Sequence, residues 1–312
     1  MFTWPTTASK SPQLSDMGSA LLYYLVIKPI SLLPYPLLYL VSDLTRLIVY
    51  RVVGYRRKVV ASNIAGAFPD LSPRERVAIE RKFYKHFCDL IVESLKNFSI
   101  TEKQARKRMV ERNPEVINRY ASQGISTVMC GGHFNNWELW AVEAGLSLDP
   151  LVVGIYKRLS NPFFDKKMKD SRSKFGLMMI PTKEVGQEMK RLKDTVKTTV
   201  YAIDQSPANP QKAYWMYFLG RETACYYGPE KYARDHRSPV LFARIHKVKR
   251  GHYEVEYEPV MDRPEDAEYG EVIHAVQRML EKDVRKWPEY WLWTHKRWKH
   301  QRPENVALDD RP

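Results

Sequence analysis

The chain of 312 residues carries 50 Lys and Arg against 36 Asp and Glu, and its net charge of +14 favours an acidic or phosphate-rich partner such as nucleic acid, an anionic membrane or an acidic carrier protein. A hydrophobic content of 44% is ordinary for a folded protein with one main globular domain. The three cysteines (Cys88, Cys130 and Cys225) lack CxxC spacing, which argues against a disulfide framework and a zinc site.

The first predicted element is an apolar segment at residues 18–42. No small-residue cleavage pattern follows it, so we do not interpret it as a cleaved signal peptide. The segment is long enough to cross a bilayer, but Lys28, Pro29, Pro34 and Pro36 interrupt it, and proline breaks the backbone hydrogen bonding that lipid demands. We expect a membrane-associated helical anchor, either a transmembrane helix or a segment in the membrane surface. A pair of buried core helices is the alternative.

A basic and aromatic flank follows the apolar segment. It contains Tyr50, Arg51 and the run Tyr55-Arg56-Arg57-Lys58. This combination is typical of a chain that meets the cytoplasmic face of a membrane. We therefore expect an N-terminal tail and membrane anchor at residues 1–50 and one larger domain at residues 51–312.

The remaining sequence alternates predicted helices with short apolar runs. A capping box at residues 72–75 starts a long amphipathic helix, and residues 271–286 form a late helix. At residues 253–258 apolar and aromatic side chains alternate with glutamate, which indicates a strand paired with the preceding one through a turn at 250–251. Buried strands are expected at residues 126–130, 151–155, 198–203 and 240–245. The predicted fold class is α/β, with a central mixed β-sheet flanked by helices.

The run Gly-Gly-His-Phe-Asn-Asn-Trp-Glu at residues 131–138 follows a predicted strand, where α/β proteins build their sites. His133 and Glu138 can meet only if His133 precedes the next helix, and Asn135 as the N-cap allows that geometry. The Glu138 carboxylate would then accept one ring N–H of His133 and leave the other nitrogen as a base for a hydroxyl or amine. Spacing alone does not distinguish this pair from a structural histidine.

The same run resembles the HxxxxD/E signature of the late acyltransferases of bacterial lipid A biosynthesis, and the resemblance covers nearly the whole chain. Five further blocks are similar to that family's blocks and stand in the same order. They are Tyr55-Arg56-Arg57-Lys58 followed by Asn63, residues 156–172 with Asn161-Pro162, Asp204-Gln205-Ser206-Pro207, Gly228-Pro229-Glu230-Lys231-Tyr232-Ala233, and residues 288–299 beginning Pro288-Glu289-Tyr290-Trp291. Several ordered blocks are far more specific than one motif.

The resemblance implies that residues 51–312 are an acyltransferase domain. Such a domain moves a fatty acyl group from acyl carrier protein or coenzyme A to a membrane lipid at the cytoplasmic face of the inner membrane, without a metal, another cofactor or an acyl-enzyme. The implied site comprises His133 as general base with Glu138 as its partner, and Arg172, Asp204 and Asn136 as candidate substrate-binding residues. The block at Asp204 departs from the family pattern, because it lacks the second acidic residue found in some relatives.

Arg172 also has a physical argument. Residues 161–162 are an N-cap asparagine and an N1 proline that start a helix, and Arg172 then shares an apolar face with Met168 and Phe175. An arginine in such a stripe must be paired or must face a ligand. A salt bridge from Arg172 to a carboxylate such as Asp204 and direct contact with a ligand both remain open.

Other functions fit parts of the sequence. An N-acyltransferase that makes an aminolipid is the nearest enzyme alternative, and a non-catalytic basic protein of the membrane surface is the alternative from another class. A metal hydrolase fits less well, because no second histidine stands at ligand spacing. Tryptophans interleave with cations at residues 287–299, but no nucleic-acid module accompanies them, so we expect no nucleic-acid partner. Packing against the sheet and contact with lipid headgroups both explain these tryptophans.

Overall fold

A seven-stranded mixed β-sheet lies at the centre of the computed structural model, which describes residues 14–311. Numbered along the chain, the strands are β1 (Met109–Glu111), β2 (Thr127–Gly131), β3 (Leu151–Tyr156), β4 (Met178–Pro181), β5 (Lys197–Ala202), β6 (Tyr214–Phe218), β7 (Arg221–Cys225), β8 (Val240–Lys249) and β9 (His252–Met261). The sheet has the order β1-β9-β8-β2-β5-β3-β4, and β6 and β7 form a separate antiparallel hairpin. Strands β8 and β9 pair antiparallel, whereas the other neighbours in the sheet pair parallel. This architecture confirms the predicted fold class.

Helices cover both faces of the sheet. They are α1 (Leu14–Leu22), α2 (Lys28–Leu32), α3 (Tyr35–Arg46), α4 (Arg57–Ala67), α5 (Pro73–Lys96), α6 (Glu102–Arg108), α7 (Glu115–Ser122), α8 (Trp137–Ser147), α9 (Pro162–Arg172), α10 (Val185–Arg191), α11 (Gly228–Asp235) and α12 (Glu271–Lys286). In β2, Val128 and Cys130 share a hydrophobic cluster with Leu280 of α12, whereas Met129 belongs to a second cluster with Leu139 of α8. Because both faces of β2 are buried, the strand reads as a continuous apolar run.

The predicted strands lie close to their expected positions. The four apolar runs correspond to β2, β3, β5 and β8, and the alternating segment is β9. The turn between β8 and β9 requires Gly251, because its φ is +70° and an added Cβ would collide with Tyr39 Oη. The capping box of Ser72 and Glu75 starts α5, and α12 spans the predicted late helix.

The N-terminal segment is a series of short helices. Helix α1 passes into a π-helical turn at Tyr23–Ile27, a break at Pro34 separates α2 from α3, and α3 continues into a second π-helical turn at Leu47–Val52. Among the residues that the structure describes, no helix is both long and apolar enough to cross a membrane. The expectation of a transmembrane helix is therefore not supported, and the domain division at residue 50 stays a prediction.

The same segment buries one face and exposes the other. Ser42 Oγ of α3 donates to Asp89 of α5 at 2.7 Å, and Lys96 of α5 donates to the carbonyl oxygens of Ser31 and Leu33. The opposite face is apolar and exposed. We call it the exposed leucine face, and its members are Leu21, Leu25, Leu32, Leu37, Leu40, Leu44 and Leu47. Because these leucines are exposed, the alternative of a pair of buried core helices is wrong.

Candidate active site

Two neighbouring parallel strands bring His133 and Asp204 together. Strand β2 ends at Gly131 and strand β5 ends at Ala202, and these two residues are paired in register. His133 lies two residues beyond the end of β2, and Asp204 lies two residues beyond the end of β5. The backbone N of His133 donates to Asp204 Oδ2 at 2.7 Å, and the ring Nδ1 lies 2.7 Å from Asp204 Oδ1. The carboxyl ends of parallel strands are where α/β sheets build sites, so this pair is the centre of the candidate active site.

The Asp204 carboxylate is buried and ionised. Its side chain is 3% exposed, and Oδ2 also accepts a hydrogen bond from Trp291 Nε1 at 2.8 Å. Burial opposes ionisation, but the charge and hydrogen bonds of His133 outweigh burial and lower the pKa of Asp204 to about 2. An ionised carboxylate only accepts hydrogen bonds, so Nδ1 of His133 carries a proton and Nε2 of the neutral ring keeps its lone pair.

The ring of His133 is placed to act as a base. Its side chain is 16% exposed, and the ring meets that of Trp137 edge to face at a centroid distance of 5.0 Å. Burial disfavours the protonated ring, but the carboxylates of Asp204 and Glu138 outweigh burial and raise the pKa of His133 above its usual value. A histidine with this tautomer can take a proton from a hydroxyl or amine at Nε2.

Glu138 is bound by Arg172. The Nε and Nη2 atoms of Arg172 donate to Oε2 and Oε1 of Glu138 at 2.9 and 2.6 Å. Burial opposes ionisation of Glu138, but Arg172 outweighs it and lowers the pKa of that carboxyl. The predicted hydrogen bond from the His133 ring to Glu138 is therefore wrong, because the ring N–H goes to Asp204. The predicted salt bridge from Arg172 to a carboxylate is confirmed, but the carboxylate is Glu138 and not Asp204.

The N-cap of helix α8 lies one residue later than predicted. Asn136 is the N-cap, and its Oδ1 accepts a hydrogen bond from the backbone N of Leu139 at 2.9 Å. Asn135 instead has a φ of +54° and donates from Nδ2 to the carbonyl oxygen of Ile245 at 2.7 Å. Asn136 is 1% exposed, and its Nδ2 donates to Glu93. Both polar atoms of the Asn136 side chain therefore form hydrogen bonds within the protein, and contact of Asn136 with a substrate stays a prediction.

The C-terminal block covers one side of the site. Phe134 and Trp291 form an antiparallel bridge, and the backbone N of Leu292 donates to the carbonyl oxygen of His133 at 3.2 Å. Trp291 and Trp293 are 2% and 0% exposed. Packing against the protein is thus confirmed for both tryptophans, and a position among lipid headgroups is wrong for them.

Sequence reasoning did not assign Gln205 to the site. Gln205 Nε2 lies 3.3 Å from His133 Nε2, at the nitrogen that the site leaves free for a proton. Its position directly after Asp204 was the available signal. His295 also lies nearby, but its Nε2 accepts a hydrogen bond from the backbone N of Ser206 at 2.9 Å, and burial lowers its pKa to about 4. His295 is therefore a neutral structural acceptor.

Comparison with known proteins gives two matches of nearly the full length. Residues 7–300 match a family model described as "Bacterial lipid A biosynthesis acyltransferase". The chain is also 24% identical over 277 residues to a "Lipid A biosynthesis lauroyltransferase" of Escherichia coli (strain K12), and this alignment covers 88% of the chain and 89% of the relative. The family match includes both strand ends of the site and the C-terminal block that packs over them.

Proposed function

The chain belongs to the family of bacterial lipid A biosynthesis acyltransferases, and from this premise we propose that it transfers a fatty acyl group from a thioester of acyl carrier protein or coenzyme A to a hydroxyl or amine of a membrane lipid. The observation that carries the proposal is the contact of 2.7 Å between His133 Nδ1 and Asp204 Oδ1. It leaves Nε2 of a partly exposed imidazole as a base beside the end of β2. The name of the relative, a lauroyltransferase of lipid A biosynthesis, supports a fatty acyl donor and a lipid acceptor.

In this mechanism His133 Nε2 removes the proton of the acceptor hydroxyl as its oxygen attacks the thioester carbonyl carbon. A C–O bond forms, the carbonyl oxygen becomes an oxyanion, and Asp204 stabilises the imidazolium ion. The oxyanion then collapses, the C–S bond breaks, and the imidazolium returns its proton to the departing thiolate. The products are the acylated lipid and a free thiol, and no acyl-enzyme forms.

Glu138 acts on the pKa of His133 through its charge, and Arg172 acts indirectly by holding Glu138 in place. Glu138 stands in the first turn of α8 and raises the pKa of His133 by its negative charge. Arg172 ends α9 and holds Glu138 in place with two parallel hydrogen bonds, an arrangement that fixes a carboxylate in both distance and orientation. We therefore assign Glu138 as an electrostatic partner of the base and Arg172 as the residue that positions Glu138.

The exposed leucine face supports contact with a membrane at the cytoplasmic surface of the inner membrane. Leu25, Leu32 and Leu40 are 69%, 63% and 65% exposed, which is unusual for a group of large apolar side chains on one face. Amphipathic helices of this kind lie in the membrane interface, and cationic proteins bind anionic lipid more strongly. The net charge of +14 fits that surface. We propose that α1 to α3 lie on the membrane with this face inserted.

The test of the proposed function is an acyl-transfer assay with the purified full-length protein. Lauroyl thioesters of acyl carrier protein and of coenzyme A are incubated separately with lipid A precursor in detergent micelles, and the products are identified by mass spectrometry. Transfer with either donor is expected. Mild alkali releases ester-linked but not amide-linked acyl chains, so it distinguishes a hydroxyl from an amine acceptor. The proposal would be rejected if the thioester is hydrolysed and no acylated lipid forms with either donor.

A further inference from the structure

We propose that the side-chain amide of Gln205 is a further catalytic group, which donates a hydrogen bond to the thioester oxygen as that oxygen becomes an oxyanion. This inference rests on the proposed role of His133 as the base. Gln205 Nε2 lies 3.3 Å from His133 Nε2. Since Nδ1 of His133 donates to the ionised Asp204, Nε2 is an acceptor, and the amide N–H of Gln205 is its donor.

The backbone around Gln205 is held on both sides. The carbonyl oxygen of Gln205 accepts a hydrogen bond from Nη1 of Arg297 at 3.4 Å, and the next backbone N–H, that of Ser206, donates to His295 at 2.9 Å. Arg297 is itself 1% exposed. The C-terminal segment therefore fixes the main chain of Gln205, while its side chain stays partly exposed.

The position of this amide has a chemical consequence. The attacking hydroxyl needs the lone pair of His133 Nε2, so acceptor binding displaces the Gln205 N–H from that nitrogen. The displaced N–H donor then lies beside the attacking oxygen. That oxygen forms a bond to the thioester carbonyl carbon, so the donor is close to the carbonyl oxygen that gains negative charge. A preoriented amide donor at a developing oxyanion contributes about 10²- to 10³-fold to kcat. Gln205 thereby donates a hydrogen bond to His133 in the free protein and stabilises the oxyanion during the reaction.

Two variants test the amide. Gln205→Ala removes the donor, and Gln205→Glu keeps the shape but replaces the donor with a carboxylate that repels the oxyanion. Both are expected to lower kcat by about 10²-fold or more, with a KM for the thioester within about threefold of the wild-type value. Gln211→Ala, an exposed change in the same connection, is the matched control and is expected to leave kcat unchanged.

The pH profile separates this role from a merely structural one. The Gln205 N–H stabilises the neutral ring of His133, so its loss in Gln205→Ala raises the pKa of that ring and moves the acidic limb of kcat/KM to higher pH. His133→Ala is measured in parallel. If His133→Ala is inactive while either folded Gln205 variant keeps wild-type kcat, the role of Gln205 is overturned and the proposed function stands. Activity of His133→Ala would instead overturn the base on which both rest.

Discussion

Asn136 Nδ2 donates a hydrogen bond to Glu93 Oε2 at 2.6 Å, and this bond joins the start of the active-site helix α8 to α5. Glu93 also accepts hydrogen bonds from Tyr39 of α3 and Tyr253 of β9, each at 2.9 Å. Its side chain is buried, and burial raises its pKa above the usual value. Glu93 therefore connects the N-terminal helices and the sheet to the cap of the helix that carries Glu138.

Loss of the Glu93 carboxyl group is expected to destabilise the fold. Glu93→Ala leaves the donors of Tyr39, Tyr253 and Asn136 without their acceptor and opens a cavity, which lowers the free energy of unfolding by ~3 kcal/mol. Urea unfolding of the purified variant measures this change. Glu304→Ala, at an exposed position, is the control and is expected to change stability by less than ~0.5 kcal/mol. Equal stability of the two variants would show that Glu93 does not hold these elements together.

Asp204→Asn tests the partner of the base. The acidic limb of kcat/KM reports protonation of His133, because only the neutral ring accepts a proton. The charge of Asp204 raises the pKa of His133, so its removal lowers that pKa and moves the acidic limb to lower pH. An asparagine amide can also donate to Nδ1 and force the proton onto Nε2, which lowers kcat by about 10³- to 10⁴-fold. A wild-type pH profile in this variant would contradict the hydrogen-bonded pair.

Arg172→Ala tests whether the position of Arg172 beside Glu138, and not only its positive charge, supports catalysis. The change removes both hydrogen bonds that orient Glu138, and misplacement near a reacting centre costs up to about 10²-fold in rate. We expect kcat/KM to fall by about 10- to 100-fold. Lys169→Ala removes the same charge from an exposed position of the same helix and is expected to change kcat/KM by less than about twofold. Similar losses in the two folded variants would contradict the assigned role of Arg172.

The exposed leucine face predicts binding to lipid vesicles. Burying one leucine side chain contributes about 1.5–3 kcal/mol, so the double change Leu25→Glu and Leu40→Glu should weaken binding by at least about tenfold. Co-sedimentation of the full-length protein with vesicles rich in phosphatidylglycerol measures the bound fraction. Tyr269→Glu changes another exposed apolar side chain, 62% exposed and outside the N-terminal helices, and is expected to bind like the wild type. Undiminished binding of the double variant would exclude this face as the membrane contact.

Most of the central sheet could be predicted from the sequence, because its inner strands are continuous apolar runs. Strand β1 could not be predicted, because it has only three residues and directly follows the basic helix α6. The hairpin of β6 and β7 was missed as well. Its strands contribute to small clusters near the C-terminal segment, so their pattern depends on contacts distant in sequence.

The sequence predicts which residues form the site, but it does not predict which of them are hydrogen-bonded to each other. His133, Glu138, Arg172 and Asp204 all lie at the site, yet the sequence pattern joined His133 to Glu138. The actual partner follows from the adjacency of β2 and β5, which are separated by about seventy residues, and strand order is not encoded in local periodicity. The cap was misplaced by one residue because two consecutive asparagines satisfy the same rule.

The rate of acyl transfer by His133→Ala tests whether His133 is the base. If His133 is the base, kcat should fall by about 10²- to 10⁴-fold while thermal unfolding stays cooperative. His236→Ala, at an exposed position of α11's C-terminal end, is the control and should transfer at the wild-type rate. The measurement is the initial rate of lauroyl transfer from the preferred thioester to lipid A precursor, at saturating concentrations of both. A folded His133→Ala protein that transfers at the wild-type rate would show that His133 is not the base.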